Sequence, residues 1–161
     1  MTIFALSTGN VKSGIAIIRI SGNDTRDVLK KLTQKNLPSP RIASISNFYD
    51  VENNELIDKG ILLWFPQPNS YTGEDLAELH VHGSKAVISA LLSNLSKINN
   101  CRIAEPGEFT RIAFENGKIN LLDVEALSDL ISSETELQRK QALNFLNGNI
   151  SKKYQELRDK I

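Results

Sequence analysis

Residues 105–118 predict a turn, a short helix and a glycine stop, and they read Glu105-Pro106-Gly107-Glu108-Phe109-Thr110-Arg111-Ile112-Ala113-Phe114-Glu115-Asn116-Gly117-Lys118. Pro106 and Gly107 are typical of a turn. The apolar side chains that follow are spaced as one face of a helix and are Phe109, Ile112 and Ala113. Gly117 predicts the helix end, because glycine readily adopts the left-handed conformation of a C-terminal cap.

Lys118 directly follows this stop, so the cap would fix the direction of its backbone. A lysine held in this way suits an anionic ligand. The commoner case is a surface lysine in water, and the local pattern alone favours that interpretation.

The residues before this segment alternate between strand and helix patterns. Apolar and β-branched runs predict strands over residues 3–6, 15–20, 42–51, 56–65, 75–81 and 101–104. Helical spacing predicts one helix from an Asn23 or Asp24 cap to about residue 35, and another from a Ser84 cap to residue 98. The run at 15–20 is apolar enough to predict a strand buried on both faces, and residues 52–55 predict a hairpin turn.

After residue 119 the pattern is helical without strands. Asn120 and Asp123 have the spacing of a capping pair. Apolar residues keep a helical period to residue 146 and again over 150–161, which predicts one long helix with a break or kink at 147–149. Such a stripe needs a packing partner, either another chain or a part of the protein beyond residue 161. We expect the second.

Bulk composition predicts a globular protein of the cytoplasm. The chain has 161 residues, 19 basic and 19 acidic, so no overall charge draws it to nucleic acid or a membrane. Cys101 is the single cysteine, which fits a reducing compartment. The N-terminus lacks a signal-peptide pattern, and no apolar run is long enough to span a membrane.

Two segments suggest chemistry that other features oppose. Residues 9–14 superficially resemble a phosphate-binding loop, but they lack the Gly-Lys-Ser/Thr order and precede a strand rather than a helix. Glu78, His80 and His82 alternate, so a persisting strand would place them on one face as a metal site. Gly83 ends the element there, and a hydrogen-bonded structural pair is the favoured alternative.

Three charged residues are candidates for a binding site. Arg19 interrupts an apolar strand on the face of Ile15 and Ile17, where it either reaches water or grips a carboxylate. Glu78 interrupts another strand, and its carboxylate can accept two hydrogen bonds from an amino-pyrimidine edge or pair with a cation. With Lys118 they would form a site for a ligand with a donor-rich ring and anionic parts.

Three segments closely resemble the N-terminal part of the MnmE (TrmE) family of tRNA modification GTPases. They are residues 105–125, Gly14-Ile15-Ala16-Ile17-Ile18-Arg19-Ile20-Ser21-Gly22 and Leu63-Trp64-Phe65-Pro66-Gln67-Pro68-Asn69-Ser70-Tyr71-Thr72-Gly73-Glu74-Asp75. The resemblance spans essentially the whole chain. It implies an α+β fold similar to the folate-binding domain of aminomethyltransferases, with a mixed or antiparallel sheet, over residues 1–118. Residues 119–161 would begin the family's central helical domain.

The resemblance also implies a function. Family members form homodimers through this domain and bind a tetrahydrofolate derivative (5-formyl or 5,10-methylene) as a one-carbon donor. With a flavoprotein partner, MnmG, they modify the wobble uridine (U34) of tRNA. The family's folate contacts fall on Arg19, Glu78 and Lys118, where Glu78 would hold the pterin and the two cations would meet polar or anionic parts. No catalytic residue and no metal ligand is carried over.

Two departures shape the expectation for this chain. The family's usual Pro-Gly-Arg-Gly-Gly loop is replaced at residues 8–14, so no backbone contact from that loop is carried over. The family's GTPase domain, with its GTP, Mg and K sites, is absent from these 161 residues, so we expect no GTP hydrolysis by this chain alone. Two alternatives stay open: a stand-alone aminomethyl or one-carbon transferase, and a structural dimerisation domain without a ligand.

Overall fold

A computed structural model describes residues 1–9 and 11–147. The chain divides into two compact units, Met1–Ile112 and Ala113–Ile161. The predicted break at 147–149 and the helix predicted over 150–161 lie almost entirely outside the described residues. The predicted boundary after residue 118 falls close to this division and stays a prediction.

The first unit is a six-stranded mixed sheet with helices, which confirms the predicted α+β class. Its elements are β1 (Thr2–Leu6), β2 (Ala16–Ser21), α1 (Thr25–Thr33), β3 (Ser44–Tyr49), β4 (Leu56–Phe65), β5 (Leu76–Val81), α2 (Lys85–Ser96) and β6 (Cys101–Ile103). The strand order is β3-β4-β5-β2-β1-β6. Neighbouring strands are antiparallel except β1 and β6, which are parallel.

One face of the sheet carries the core, because buried residues alternate along the central strands. In β2 the buried apolar residues are Ala16, Ile18 and Ile20. The apolar stripes of α1 and α2, including Leu29 and Leu91, join the same core. The prediction that residues 15–20 are buried on both faces is wrong: Ile15 is 62% exposed, and Ile17 and Arg19 are half-buried on the opposite, outward face.

Local signals set the ends of the helices with mixed accuracy. The Ser84 side chain accepts a hydrogen bond from the Val87 N–H, as predicted for a cap. Asp24 is the residue that precedes α1, but its side chain makes no capping hydrogen bond. The predicted position of the cap is therefore confirmed and the predicted hydrogen bond is wrong. The hairpin turn at residues 52–55 is confirmed, since Asp50 donates its N–H to the Glu55 carbonyl and the chain reverses between them.

Three helices follow the sheet. α3 (Glu108–Glu115) crosses the division between the units, and α4 (Leu121–Ile131) and α5 (Glu136–Leu146) pack against each other in the second unit. Asn120 and Asp123 form the predicted capping box of α4. The prediction of one long helix is wrong, because Thr135 and Gln138 form a second capping box that starts α5. Within the described residues, every helix is too short or too polar to cross a membrane.

Candidate functional site

The outward face of the sheet brings Arg19 and Glu78 together. Arg19 of β2 lies directly opposite Glu78 of β5 in the antiparallel register. Arg19 Nη2 and Nε donate to the same carboxylate oxygen, Glu78 Oε1, at 2.8 and 3.2 Å. The side chains are 27% and 18% exposed, so the pair is accessible from solvent yet partly shielded. The structure therefore joins two of the three predicted site residues in one ion pair.

Two aromatic rings lie close to the Arg19 guanidinium. Its central carbon lies 5.5 Å from the ring centroid of Tyr71 and 5.7 Å from that of Phe109, both within the range of cation–π attraction. Tyr71 belongs to the loop between β4 and β5, and Phe109 to α3. The Tyr71 hydroxyl and Thr110 Oγ1 are hydrogen-bonded at 3.0 Å, which links the loop to the helix.

The second oxygen of Glu78 is less engaged. Among the residues that the structure describes, its hydrogen-bonding partner is His80 Nε2 alone, at a long 3.4 Å. A carboxylate offers about four lone-pair sites, and Arg19 occupies two of them on Oε1. Glu78 therefore keeps accepting capacity on an oxygen that is open to a ligand.

The metal alternative receives no support from the side-chain geometry. His82 lies beyond the end of β5, where its Nδ1 contacts Asp58 Oδ1 at 2.8 Å and its N–H donates to Asp58 Oδ2. Glu78 therefore contacts His80, whereas His82 contacts Asp58 instead of joining them. Over residues 1–9 and 11–147, no group of three or more His, Cys, Asp or Glu is arranged to hold a metal ion.

An ion pair between the buried carboxylate of Asp75 and the half-exposed Arg26 anchors the loop that carries Tyr71. Asp75 is 4% exposed, and Arg26 donates Nε to Oδ2 at 2.7 Å and Nη2 to Oδ1 at 3.3 Å. The Gln67 N–H donates to the same Oδ1 at 3.0 Å, and the Arg26 guanidinium lies 5.5 Å from the Trp64 ring centroid. Both oxygens of Asp75 are engaged, so the loop is held at both ends.

A second buried carboxylate anchors the helix that carries Phe109. Glu108 is 4% exposed, and it accepts hydrogen bonds from Arg102 through both oxygens, from Arg111 at 3.1 Å and from the Glu105 N–H at 2.8 Å. These hydrogen bonds, chiefly from Arg102, lower the pKa of Glu108 to about 2, although burial opposes the shift. Glu108 therefore fixes the start of α3 beside the site.

Lys118 belongs to the second unit and ends a well-formed helix cap. Gly117 has a φ of +65°, its N–H donates to the Phe114 carbonyl, and the Lys118 N–H donates to the Ala113 carbonyl. These two bonds form a Schellman motif, which confirms the predicted glycine stop. Lys118 is exposed, and its convergence with Arg19 and Glu78 stays a prediction.

Sequence reasoning missed the aromatic neighbours of Arg19. Tyr71 carried one signal, since its loop is long and rich in turn residues. Phe109 carried none, because its helical spacing marked it as a core residue. The sequence does not show that Tyr71 and Phe109 both contact Arg19, because the three residues are far apart along the chain.

The replaced loop at residues 8–14 is tied to the end of β5. The Ser13 N–H donates to the Gly83 carbonyl at 3.2 Å. A side chain at Gly83 would begin 2.5 Å from the Ser13 carbonyl oxygen, so glycine permits this close approach.

Comparison with known proteins identifies the family. A family model described as "GTP-binding protein TrmE N-terminus" matches residues 2–118. A tRNA modification GTPase MnmE of Pelagibacter ubique (strain HTCC1062) is 58% identical over 161 residues, 100% of this chain and 36% of that protein. An MnmE of Brucella canis (strain ATCC 23365 / NCTC 10854 / RM-666) is 50% identical over 160 residues, 99% of this chain and 36% of that protein.

A eukaryotic relative extends the similarity. The mitochondrial 5-taurinomethyluridine-[tRNA] synthase subunit GTPB3 of Danio rerio is 48% identical over 160 residues, 99% of this chain and 32% of that protein. The chain thus spans 32–36% of the length of these relatives. Since the family model covers β1 to α3 and the glycine stop after it, the chain belongs to the family of the GTP-binding protein TrmE N-terminus.

Proposed function

We propose that this chain is the folate-binding and dimerisation module of a cytoplasmic tRNA modification GTPase that acts on the wobble uridine with a flavoprotein partner. In this role it binds 5-formyl- or 5,10-methylene-tetrahydrofolate as the one-carbon donor. Relatives over the whole chain are tRNA modification GTPases by name, and that similarity supports the tRNA part of the proposal.

The observation that carries the folate part is the incompletely used carboxylate of Glu78. A pterin presents an amino group and a ring N–H side by side, and both can donate to a carboxylate that retains accepting capacity. Glu78 Oε2 meets that requirement, whereas Oε1 is held by Arg19. The residues present therefore fit a reduced folate, with Glu78 at the pterin edge.

Arg19 and Lys118 would bind the polar or anionic parts of the ligand. Arg19 Nε and Nη2 face Glu78, and Nη1 donates to no other atom of the described residues. That leaves one edge of the guanidinium for an anionic or carbonyl group of the ligand. Lys118 would supply a second positive charge, in line with the family pattern.

Exposed apolar residues on the outward face support the dimerisation part. Ile45 of β3 lies opposite Ile61 of β4, which lies opposite His80 of β5. Ile45 is 75% exposed and Ile61 is 40% exposed. Adjacent exposed apolar side chains on a sheet face can form part of a protein–protein contact, and these two are proposed as part of the dimer surface.

Calorimetric titration of 5-formyltetrahydrofolate into the chain tests the folate proposal. We expect the wild type to bind and Glu78→Gln to lose at least about tenfold in affinity, because the neutral amide lacks the negative charge that strengthens hydrogen bonds from the pterin and can turn an NH2 donor toward the ligand's own donors. Glu52→Gln is the matched control, since Glu52 is an exposed carboxylate paired with Lys97 away from the site. It should bind as the wild type does.

The same samples separate the alternatives. No binding to a folded wild type would refute the folate proposal and favour a structural domain. Release of formaldehyde or of a changed folate by the chain alone would favour a one-carbon transferase. Binding without turnover is the expected result.

Light scattering coupled to size exclusion tests the dimer. We expect a dimeric wild type and a monomeric Ile45→Lys/Ile61→Lys variant, because two buried lysines in an apolar contact lose their hydration. Ile103→Lys is the control, since Ile103 is 59% exposed on β6 at the far edge of the sheet. A wild-type monomer at high concentration would contradict the proposal.

A further inference from the structure

We infer that Tyr71 and Phe109 form an aromatic clamp that positions the Arg19 guanidinium for a ligand. This inference deepens the proposed function and rests on it for the identity of the ligand. The clamp consists of the two rings and of the Tyr71–Thr110 hydrogen bond that joins them.

Arg19 needs such a clamp because Glu78 holds it through one oxygen only. Two donors on a single oxygen leave the guanidinium plane free to rotate about that contact, whereas a fork on two oxygens fixes the plane. Arginine also has several rotatable bonds, and their freedom opposes any single orientation. The rings at 5.5 and 5.7 Å supply the missing constraint.

Both halves of the clamp adjoin buried, hydrogen-bonded residues of the first unit. Tyr71 precedes Thr72, a fully buried residue whose hydroxyl lies 2.7 Å from Ser21 Oγ. Phe109 follows Glu108, which is held by Arg102 and Arg111. A clamp that is already ordered lowers the cost of fixing Arg19 when a ligand binds.

Substitutions of Phe109 in two backgrounds test the role in binding. We expect Phe109→Leu to weaken 5-formyltetrahydrofolate binding roughly three- to tenfold, the range of a cation–π contact. In an Arg19→Met background the same substitution should cost nothing further, because the clamp acts through Arg19. Phe114→Leu is the matched control on the same helix, since Phe114 is 46% exposed and should leave affinity unchanged.

Tyr71→Leu provides a second variant of the clamp, and Tyr71→Phe isolates the link to Thr110. The control for the latter is Tyr49→Phe, which removes a hydroxyl bonded to Asn47 instead. An equal loss on Phe109→Leu in both backgrounds would overturn the inference, because the ring would then act by general packing or by touching the ligand itself. No loss in either background would overturn it as well.

A measurement without ligand separates this inference from the folate proposal. The Arg19 Nε–Hε signal in nitrogen-proton NMR spectra should be shifted by the two rings and exchange slowly with water. In Phe109→Leu the shift should shrink and the exchange should quicken. Identical Arg19 signals in the two proteins would overturn the clamp, whereas a failure of folate to bind, with these NMR changes present, would refute only the ligand's identity.

Discussion

Asp75 and Glu78 lie three residues apart, and each pairs with an arginine that also contacts an aromatic ring. Asp75 engages both oxygens, with two donors from Arg26 and one from the Gln67 N–H. Glu78 engages one oxygen with Arg19 and leaves the other with a distant His80 nitrogen. The Asp75 side chain is 5% exposed and that of Glu78 is 18% exposed.

The difference distinguishes a structural ion pair at Asp75 from a candidate binding site at Glu78. A carboxylate whose oxygens are all bonded internally can only hold the fold together. A carboxylate with an open oxygen on an accessible face can exchange a weak internal contact for a ligand. Stability should therefore depend on Asp75, and ligand affinity on Glu78.

Asp75→Asn should produce the largest loss of stability in this comparison. An amide at this buried position turns an NH2 group toward either Arg26 or the Gln67 N–H, so one of these donors loses its acceptor, and we expect about 1–3 kcal/mol less unfolding free energy. Urea denaturation followed by Trp64 fluorescence measures it, since Trp64 is the only tryptophan and is 3% exposed. Asp27→Asn, an exposed change in the first turn of α1, should lower the midpoint far less than Asp75→Asn does.

The second prediction concerns the pH dependence of stability, because Glu108 should stay ionised at a lower pH than an ordinary carboxylate does. The pKa of Glu108 is lowered to about 2, below its unfolded value of about 4.3. Its contribution is therefore complete above about pH 4.3 and is lost as pH falls through about 2. Wild type should be more stable than Glu108→Gln at pH 6, and the two urea midpoints should converge near pH 2. If the difference between the two urea midpoints stayed the same from pH 6 to pH 2, the lowered pKa of Glu108 would be contradicted.

Glu78→Gln should change stability little, by about 1 kcal/mol or less. The pair is partly exposed and uses one oxygen, so most of its Coulomb energy is offset by hydration. The Trp64 denaturation assay measures this loss beside that of Asp75→Asn. A larger loss for Glu78→Gln than for Asp75→Asn would break the distinction between the two carboxylates.

Glu136→Gln should have the smallest effect. Glu136 pairs with Arg139 and Lys140 on the surface of α5, and water screens such pairs. We expect no measurable change in the thermal midpoint by far-UV circular dichroism. A clear decrease would show that surface pairs contribute to stability here and would weaken the comparison based on burial.

The elements of the sheet were largely predictable because their signals are local. An apolar run that includes β-branched residues and follows a turn signal placed β4 at its observed bounds, Leu56–Phe65. The division between α4 and α5 was also encoded locally, in the spacing of Thr135 and Gln138, but the continuous apolar period outweighed it.

The site was less predictable because it depends on non-local register. Alternation shows that Arg19 lies on a given face of β2, but not that β5 is the neighbouring strand or that Glu78 is the opposite residue. Their 59-residue separation has no local signature. The same holds for Tyr71 and Phe109, whose shared neighbour is defined only by the assembled sheet.

The parallel pairing of β1 with β6 has a consequence for the order of synthesis. Thr2 lies opposite Cys101, so β1 keeps an unpaired edge on a ribosome until residues 101–103 have emerged. β2 to β5 and both core helices precede β6 in the sequence, so they emerge before this pairing can form. Non-local closure of this kind slows folding, because residues about 100 positions apart must meet before this pairing forms.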